Sequence, residues 1–252
     1  MSDARLRVSI VIPAYNESSD IIPVLDRLME SVTLPHEVLV IVDSPEDTTV
    51  PAVEKYDQPT VRVVLNEYGA GPAHAIRFGI HAAQAPVVVV TMADGCDDPR
   101  QVDELTRLVE RGVVVAAASR YMPGGQQVGG PAFKRMLSRN AGRSLYRFAR
   151  IGTRDATNSY KAYNRDFVEK VGIDSRDGFE IGLELTAKAR RMRLPVAEIP
   201  TIWLDRPAGV SNFRLTKWIP KYLRWYRFAF GPQLDAAAVR KSAAATMIES
   251  GN

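Results

Sequence analysis

Val87-Val88-Val89-Val90-Thr91-Met92-Ala93-Asp94-Gly95-Cys96-Asp97-Asp98-Pro99 is a continuous apolar run that stops abruptly at carboxylates. The run is short and β-branched, the pattern of a strand buried on both faces of a sheet. In an open α/β sheet, the carboxyl end of such a strand borders the ligand crevice. Three carboxylates crowded at that end repel one another unless a cation or solvent intervenes. Two readings stand side by side. In one, a hard divalent cation on these oxygens grips a phosphate-bearing ligand. In the other, the carboxylates belong to a solvated strand-to-helix loop, with Asp98 capping a helix that starts at Pro99.

Similar runs flank this one, separated by segments of helical spacing. Arg7 to Pro13, His36 to Val42, Val61 to Leu65, Val87 to Met92 and Val113 to Ser119 are expected strands. Asp20 to Ser31, Thr48 to Tyr56, Gly71 to Ala83 and Pro99 to Arg111 are expected helices. In the first helix Ile21, Val24, Leu25 and Leu28 fall on one face. The βαβα rhythm predicts an α/β, Rossmann-like fold: a mostly parallel sheet with helices on both faces. After residue 120 the rhythm changes. Met122 to Pro131 reads as a mobile Gly- and Gln-rich loop. Ala132 to Arg150 reads as a basic helix, Ala156 to Tyr163 as a strand, Ile181 to Met192 as a helix and Pro195 to Trp203 as a last strand. The tail from Pro232 is Ala-rich and is expected to be flexible or loosely helical.

Composition narrows the partners. Hydrophobic residues make up 46% of the 252 residues and charged residues 25%, which is ordinary for a globular protein. A net charge of +4 suits phosphate ligands and anionic lipid. No nucleic-acid-binding motif accompanies it, so nucleic acid is not an expected partner. Cys96 is the only cysteine, which excludes an intrachain disulfide and favours a reducing compartment. No apolar stretch approaches a membrane span of roughly 18 residues. The expected location is cytoplasmic, with or without peripheral attachment to the cytoplasmic face of a membrane. Homo-oligomer formation is left open.

Residues 213 to 231 form a basic and aromatic segment. Wound as a helix, Arg214, Lys217, Lys221, Arg224 and Arg227 fall on one arc and Leu215, Trp218, Ile219, Tyr222, Leu223, Tyr226 and Phe230 on the other. Phe228 lands among the cations. Pro220 predicts that the regular helix starts there. A helix lying in a membrane interface and a helix docked on the core with its basic side in water both fit this pattern. Three regions result: 1–212, an interfacial or docking helix at 213–231, and a tail at 232–252.

The chemistry gathers at strand ends. Pro13-Ala14-Tyr15-Asn16-Glu17 ends the first strand, leaving an aromatic ring and a carboxylate at the mouth of the sheet. Asp43 ends the second strand as Asp94 ends the fourth. Tyr15, Asp43 and Asp94 are therefore expected on one rim. These stretches resemble the inverting family-2 glycosyltransferases of the GT-A fold. Later segments are similar to the dolichyl- or polyprenyl-phosphate sugar synthases among them. These are Gly69-Ala70-Gly71-Pro72-Ala73, Ser119-Arg120-Tyr121, Arg135 with Ser138-Arg139-Asn140, Asp155 to Tyr163, Gly178-Phe179-Glu180 with Glu184, and Asp205-Arg206 with Gly209 and Ser211.

The resemblance implies transfer of a sugar, with inversion, from a nucleoside-diphosphate sugar to a polyprenyl phosphate. It implies Pro13, Tyr15, Glu17, Asp43, Ala93, Asp94 and Arg120 around the nucleotide sugar. Asp94, Arg120, Asp155 and Arg206 are the implied catalytic set, and Arg135, Arg139 and Arg206 the implied acceptor-phosphate set. Mg²⁺ or Mn²⁺ is the implied cofactor, held by Asp94 with Asp97. The chain departs from the family where it matters most: Met92 stands in place of the first aspartate of the Asp-x-Asp motif, and Cys96 in place of a third metal-side residue. Two other readings stay open: a transferase of the same fold with a soluble acceptor, and a catalytically weak subunit that binds a nucleotide sugar.

Overall fold

The computed structural model describes residues 5–205 and 215–248. Its strands are β1 (Val8–Pro13), β2 (His36–Val42), β3 (Val61–Leu65), β4 (Val87–Val90), β5 (Val115–Ser119), β6 (Gln126–Val128), β7 (Lys161–Asn164), β8 (Val196–Pro200) and β9 (Ile202–Leu204). Seven of them form one sheet in the order β3-β2-β1-β4-β7-β5-β8, while β6 pairs with β9. Every pairing in the large sheet is parallel except those of β7, which runs antiparallel to both β4 and β5.

The helices are α1 (Ile21–Ser31), α2 (Val50–Glu54), α3 (Pro72–Ala82), α4 (Val102–Glu110), α5 (Ala132–Ser144), α6 (Arg165–Val171), α7 (Ile181–Arg191), α8 (Leu215–Phe228) and α9 (Ala236–Ile248). Alternation along the strands assigns them to faces. Val8, Ile10 and Ile12 of β1 pack with Leu25 and Leu28 of α1, Val53 of α2 and Leu105 of α4. Val11 packs in the opposite layer with Ile76 and Ile80 of α3, Phe167 of α6, Leu185 of α7, Trp225 of α8 and Val239 of α9. Gly79 lets α3 lie close on the sheet. A Cβ there would overlap Val11 Cγ1 and lie 2.9 Å from Ile41 Cγ1. Gly79→Ala is expected to cost about 1–3 kcal/mol through overpacking. The loss would appear as a lower urea midpoint with an unchanged slope; an unchanged midpoint would mean that this contact tolerates a methyl group.

Strand order positions the site. From β1 the chain moves outward to β2 and β3, then returns to place β4 on β1's other side. Beyond the carboxyl ends of β1 and β4 lies the switch point at which open α/β sheets bind ligands.

Several sequence expectations need correction. The 122–131 stretch is not simply a loop: it contains β6, held by pairing with β9 rather than by apolar pattern. The expected strand 156–163 shrinks to β7, because residues 155–160 form a loop at the rim. Helix α6 was not expected, although Asn164 accepts a capping bond from Phe167 N. The last expected strand divides at Thr201 into β8 and β9. Pro200, which lacks an N–H, ends the first of them. Helix α8 starts at Leu215 and carries Pro220 inside it. Residues 236–248 of the expected tail form α9, with Val239 and Ala243 buried.

Candidate functional site

The end of β4 separates its three aspartates into three roles. Asp97 turns inward, where its carboxylate accepts from Thr91 Oγ1 at 2.9 Å and from Met92 N at 3.2 Å. Asp98 caps the following turn through Arg100 N and pairs with the Arg100 guanidinium at 2.7 Å. Asp94 is left half-buried at the rim, with Oδ1 accepting from Cys96 N at 3.0 Å. Arg27, unremarked in the sequence, braces the loop by donating to Gly95 O at 2.7 Å.

Burial, reinforced by the neighbouring Asp94 charge, pushes Asp97 up to about 7. The unfolded chain releases this proton near the ordinary aspartate value of 3.8, whereas the folded chain holds it to about 7. This contribution to stability is therefore full below the unfolded value and is lost as pH rises through about 7. Asp97→Asn, which cannot ionise, is expected to flatten the melting temperature across that window. An unchanged pH slope would contradict the assignment.

The other strand ends meet Asp94 along the same edge. In the β1–β2 register Pro13 faces Ile41, so Tyr15 and Asp43 each lie two residues beyond the paired positions. Tyr15 is 71% exposed, an open ring at the mouth of the crevice. Its loop is clamped from below: both oxygens of buried Asp47 accept from Asn16 N, and Thr49 Oγ1 accepts from Glu17 N at 3.0 Å. Asp43 accepts from Asn66 Nδ2 and from Gly71 N, both at 2.7 Å. It thereby fixes the Gly69–Gly71 turn that leads into α3, where both glycines adopt positive φ. Pro13 and Ala93 are buried, so they shape the crevice and offer it little surface.

On the other side of β4, the antiparallel β7 presents its amino end to the rim. That brings Asp155 to Arg120, which follows β5. Arg120 Nε lies 2.7 Å from Asp155 Oδ2 and Nη2 lies 2.9 Å from Oδ1, a bidentate pair, while Arg120 N donates to the same carboxylate. The Asp155 side chain is fully buried and that of Arg120 is 12% exposed. Beneath them lies Lys161, wholly buried, its ammonium donating to the carbonyls of Ala156 and Asn158. Burial pushes it down to about 7. Sequence pattern draws attention to the Asp155–Tyr163 stretch but not to Lys161 within it; a lysine between Tyr160 and Tyr163 in an expected strand is the available signal.

Helix α5 joins this loop through Ser138 Oγ and Thr157 Oγ1, 2.7 Å apart. It carries Arg135 half-buried and Arg139 exposed. Glu180 is fully buried and Glu184 is structural: the latter pairs with Lys188 at 2.6 Å and accepts from Asp174 N and Ser175 N. Arg206, Gly209 and Ser211 lie outside the described residues.

The expected metal pair, Asp94 with Asp97, stands in the loop after β4. Among the described residues no group of three His, Cys, Asp or Glu side chains could enclose a metal ion. Asp97 has its Oδ2 engaged inside the loop by Thr91 and the Met92 amide, and Asp94 is the carboxylate half-buried at the rim. A single carboxylate together with phosphate oxygens and water is a common way to hold Mg²⁺. The donor set fits a hard cation that arrives with a diphosphate, and does not fit one caged by protein alone.

Helix α8 also departs from its expected arcs. Trp225 and Phe228 are buried, and Trp225 Nε1 donates to Ser175 Oγ at 2.9 Å. Lys221 lies 3.0 Å and Arg224 3.8 Å from Asp177, so these cations face protein rather than water. Tyr226 meets Ser144 of α5 at 2.8 Å. Ile219, Leu223 and Phe230 remain exposed. The side chains of Leu215 to Trp218 are outside the description.

A sequence model described as Glycosyl transferase family 2 matches residues 9–172. The chain is 30% identical over 213 residues to the polyprenol monophosphomannose synthase of Mycolicibacterium smegmatis, covering 82% of this chain and 80% of that protein. It is 30% identical over 216 residues to the undecaprenyl-phosphate mannosyltransferase of Micrococcus luteus, covering 82% and 87%. Among solved structures, it is similar to glucosyl-3-phosphoglycerate synthase from Mycobacterium tuberculosis in complex with Mn²⁺, uridine diphosphate and glucosyl-3-phosphoglycerate. The TM-score is 0.63 at 18% identity, covering 98% of this chain and 80% of that one, a likeness of fold.

Proposed function

The chain belongs to glycosyl transferase family 2 and has the GT-A fold, and from that premise we propose that it moves a sugar from a nucleoside diphosphate to a polyprenyl phosphate, with inversion. The observation that carries this reading is the meeting of Tyr15, Asp43 and Asp94 beyond adjacent strand ends, with the Arg120–Asp155 pair across β4. Two relatives named for polyprenyl-type acceptors support the acceptor class.

In this reading the base lies against the exposed face of Tyr15, and Asp43 and Glu17 offer acceptors to base and ribose. The diphosphate lies at Asp94. Bound there, Mg²⁺ or Mn²⁺ would act as a Lewis acid that offsets charge on the departing nucleoside diphosphate. The acceptor phosphate has a second pKa near about 6 and is largely dianionic at neutral pH, so it needs positioning more than a general base. Arg120, Arg135 and Arg139, with Arg206 outside the described residues, are the candidate guanidinium groups for that task. Asp155 occupies Nε and Nη2 of Arg120, which leaves Nη1 for an anion. Attack by a phosphate oxygen opposite the leaving group inverts the anomeric carbon.

The catalytic unit in this proposal runs to about residue 212. No helix among the described residues is long and apolar enough to cross a membrane. Exposed Ile219 and Leu223 on α8 and Phe230 just after it, with Phe133 and Met136 on α5, support contact with a membrane surface in this reading. The test supplies radiolabelled nucleotide sugars one at a time, with Mn²⁺ and polyprenyl phosphate. The proposal expects label from one donor to enter the organic phase. Label that reaches only water-soluble products would favour the soluble-acceptor reading and contradict this one.

A further inference from the structure

From Ala132 to Arg154 the chain carries seven basic residues and no acidic one. Arg139, Arg143 and Arg147 recur at every fourth position along α5 and the π-helical turn Leu145–Ala149 that follows it. All three line a cavity of about 830 Å³ whose facing wall is the loop from Tyr121 to Gly125. That volume is in the range of small-molecule sites. Among the described residues none of the three guanidinium groups has an ion-pair partner, although like charges at this spacing repel one another. Arg154 is different. Its guanidinium pairs with Glu198 and lies 4.1 Å from the centre of the Tyr146 ring, which fixes that end of the cavity. The exposed ring of Phe148 forms an apolar edge.

We propose that this cavity binds a phosphate-bearing ligand, at a site beyond the crevice at the ends of β1, β2 and β4 that shares only Arg139 with the candidate acceptor-phosphate set. Three unpaired guanidinium groups around one volume present many N–H donors, more than a carboxylate's two oxygens can accept. A phosphate group, with three or four oxygens, matches planar forks approaching from several sides. The cavity adjoins Tyr121, next to Arg120, so the ligand would lie beside the acceptor end of the catalytic site. The same chemistry is offered by the headgroup of an anionic phospholipid and by a soluble organic phosphate.

The full chain is compared with an Arg143→Gln/Arg147→Gln variant, neither residue being in the proposed catalytic set. A control, Lys55→Gln/Arg111→Gln, removes two exposed cations elsewhere. Binding of glycerol 3-phosphate is measured by calorimetry against chloride at equal ionic strength. Sedimentation with phosphatidylglycerol vesicles is compared with that of phosphatidylcholine vesicles. The proposal expects at least one phosphate probe to bind the wild-type chain and the control alike, and to bind the Arg143/Arg147 variant at least about tenfold more weakly. Binding of glycerol 3-phosphate assigns a soluble ligand, and vesicle binding alone assigns a headgroup. Equal binding by all three proteins, equal weakening by the control, or no preference over chloride or phosphatidylcholine would overturn it. No nucleotide sugar is present, so failure here leaves the transferase reading untouched.

Discussion

Asp94→Asn is expected to lower sugar transfer by at least about 100-fold, the scale set by removing a charge-stabilising group from an active site. The fold should survive, because Asp94 makes only a local bond to Cys96 N that asparagine can also accept. The size of the effect follows from how β4 ends. The motif this stretch resembles places two aspartates at this strand end, at positions 92 and 94. Here Met92 occupies the first position and Asp97 is bonded inward, so Asp94 has no substitute beside it. Asp97→Asn should therefore leave most turnover in place while changing the pH dependence of stability. Turnover that survives Asp94→Asn, or that is lost equally in both variants, would count against this division of roles.

Asp155→Ala is expected to destabilise the chain by about 3–5 kcal/mol, since it leaves the Arg120 guanidinium buried without its counter-charge. At roughly 2–4 °C per kcal/mol for a chain of this size, the melting temperature should fall by about 10 °C. Asp155→Asn retains an acceptor and should cost less, yet it should still reduce turnover, because the fork of Arg120 is no longer held from two sides. The decisive comparison is a double-mutant cycle with Arg120→Ala. Contacting residues couple, whereas independent ones add within about 0.5 kcal/mol. Additive losses would show that the pair is incidental to both stability and activity.

Sequence pattern reached the first half of the fold because the information there is local. Strands buried on both faces leave uninterrupted β-branched runs, and the α/β alternation fixes which ends share an edge. Tyr15, Asp43 and Asp94 could be read for that reason. The second half depends on contacts made at a distance. Strand β6 exists only as a partner of β9, and the antiparallel entry of β7 follows from the loop that brings Asp155 to Arg120. Neither leaves a periodic signature. Helix α8 departs from its arcs: two of the cations, Lys221 and Arg224, meet Asp177, which lies 44 and 47 residues earlier in the chain, a partner that helical spacing cannot reveal. The crowd of aspartates at the end of β4 was legible, but which of them turns inward is set by Thr91 and the Met92 amide.

A crystal structure of this chain with a bound nucleoside diphosphate is the most direct test of the catalytic rim. The account predicts the base between Tyr15 and Asp43, and the diphosphate beside Asp94. A nucleotide bound away from the ends of β1, β2 and β4, with Asp94 facing open solvent, would contradict it.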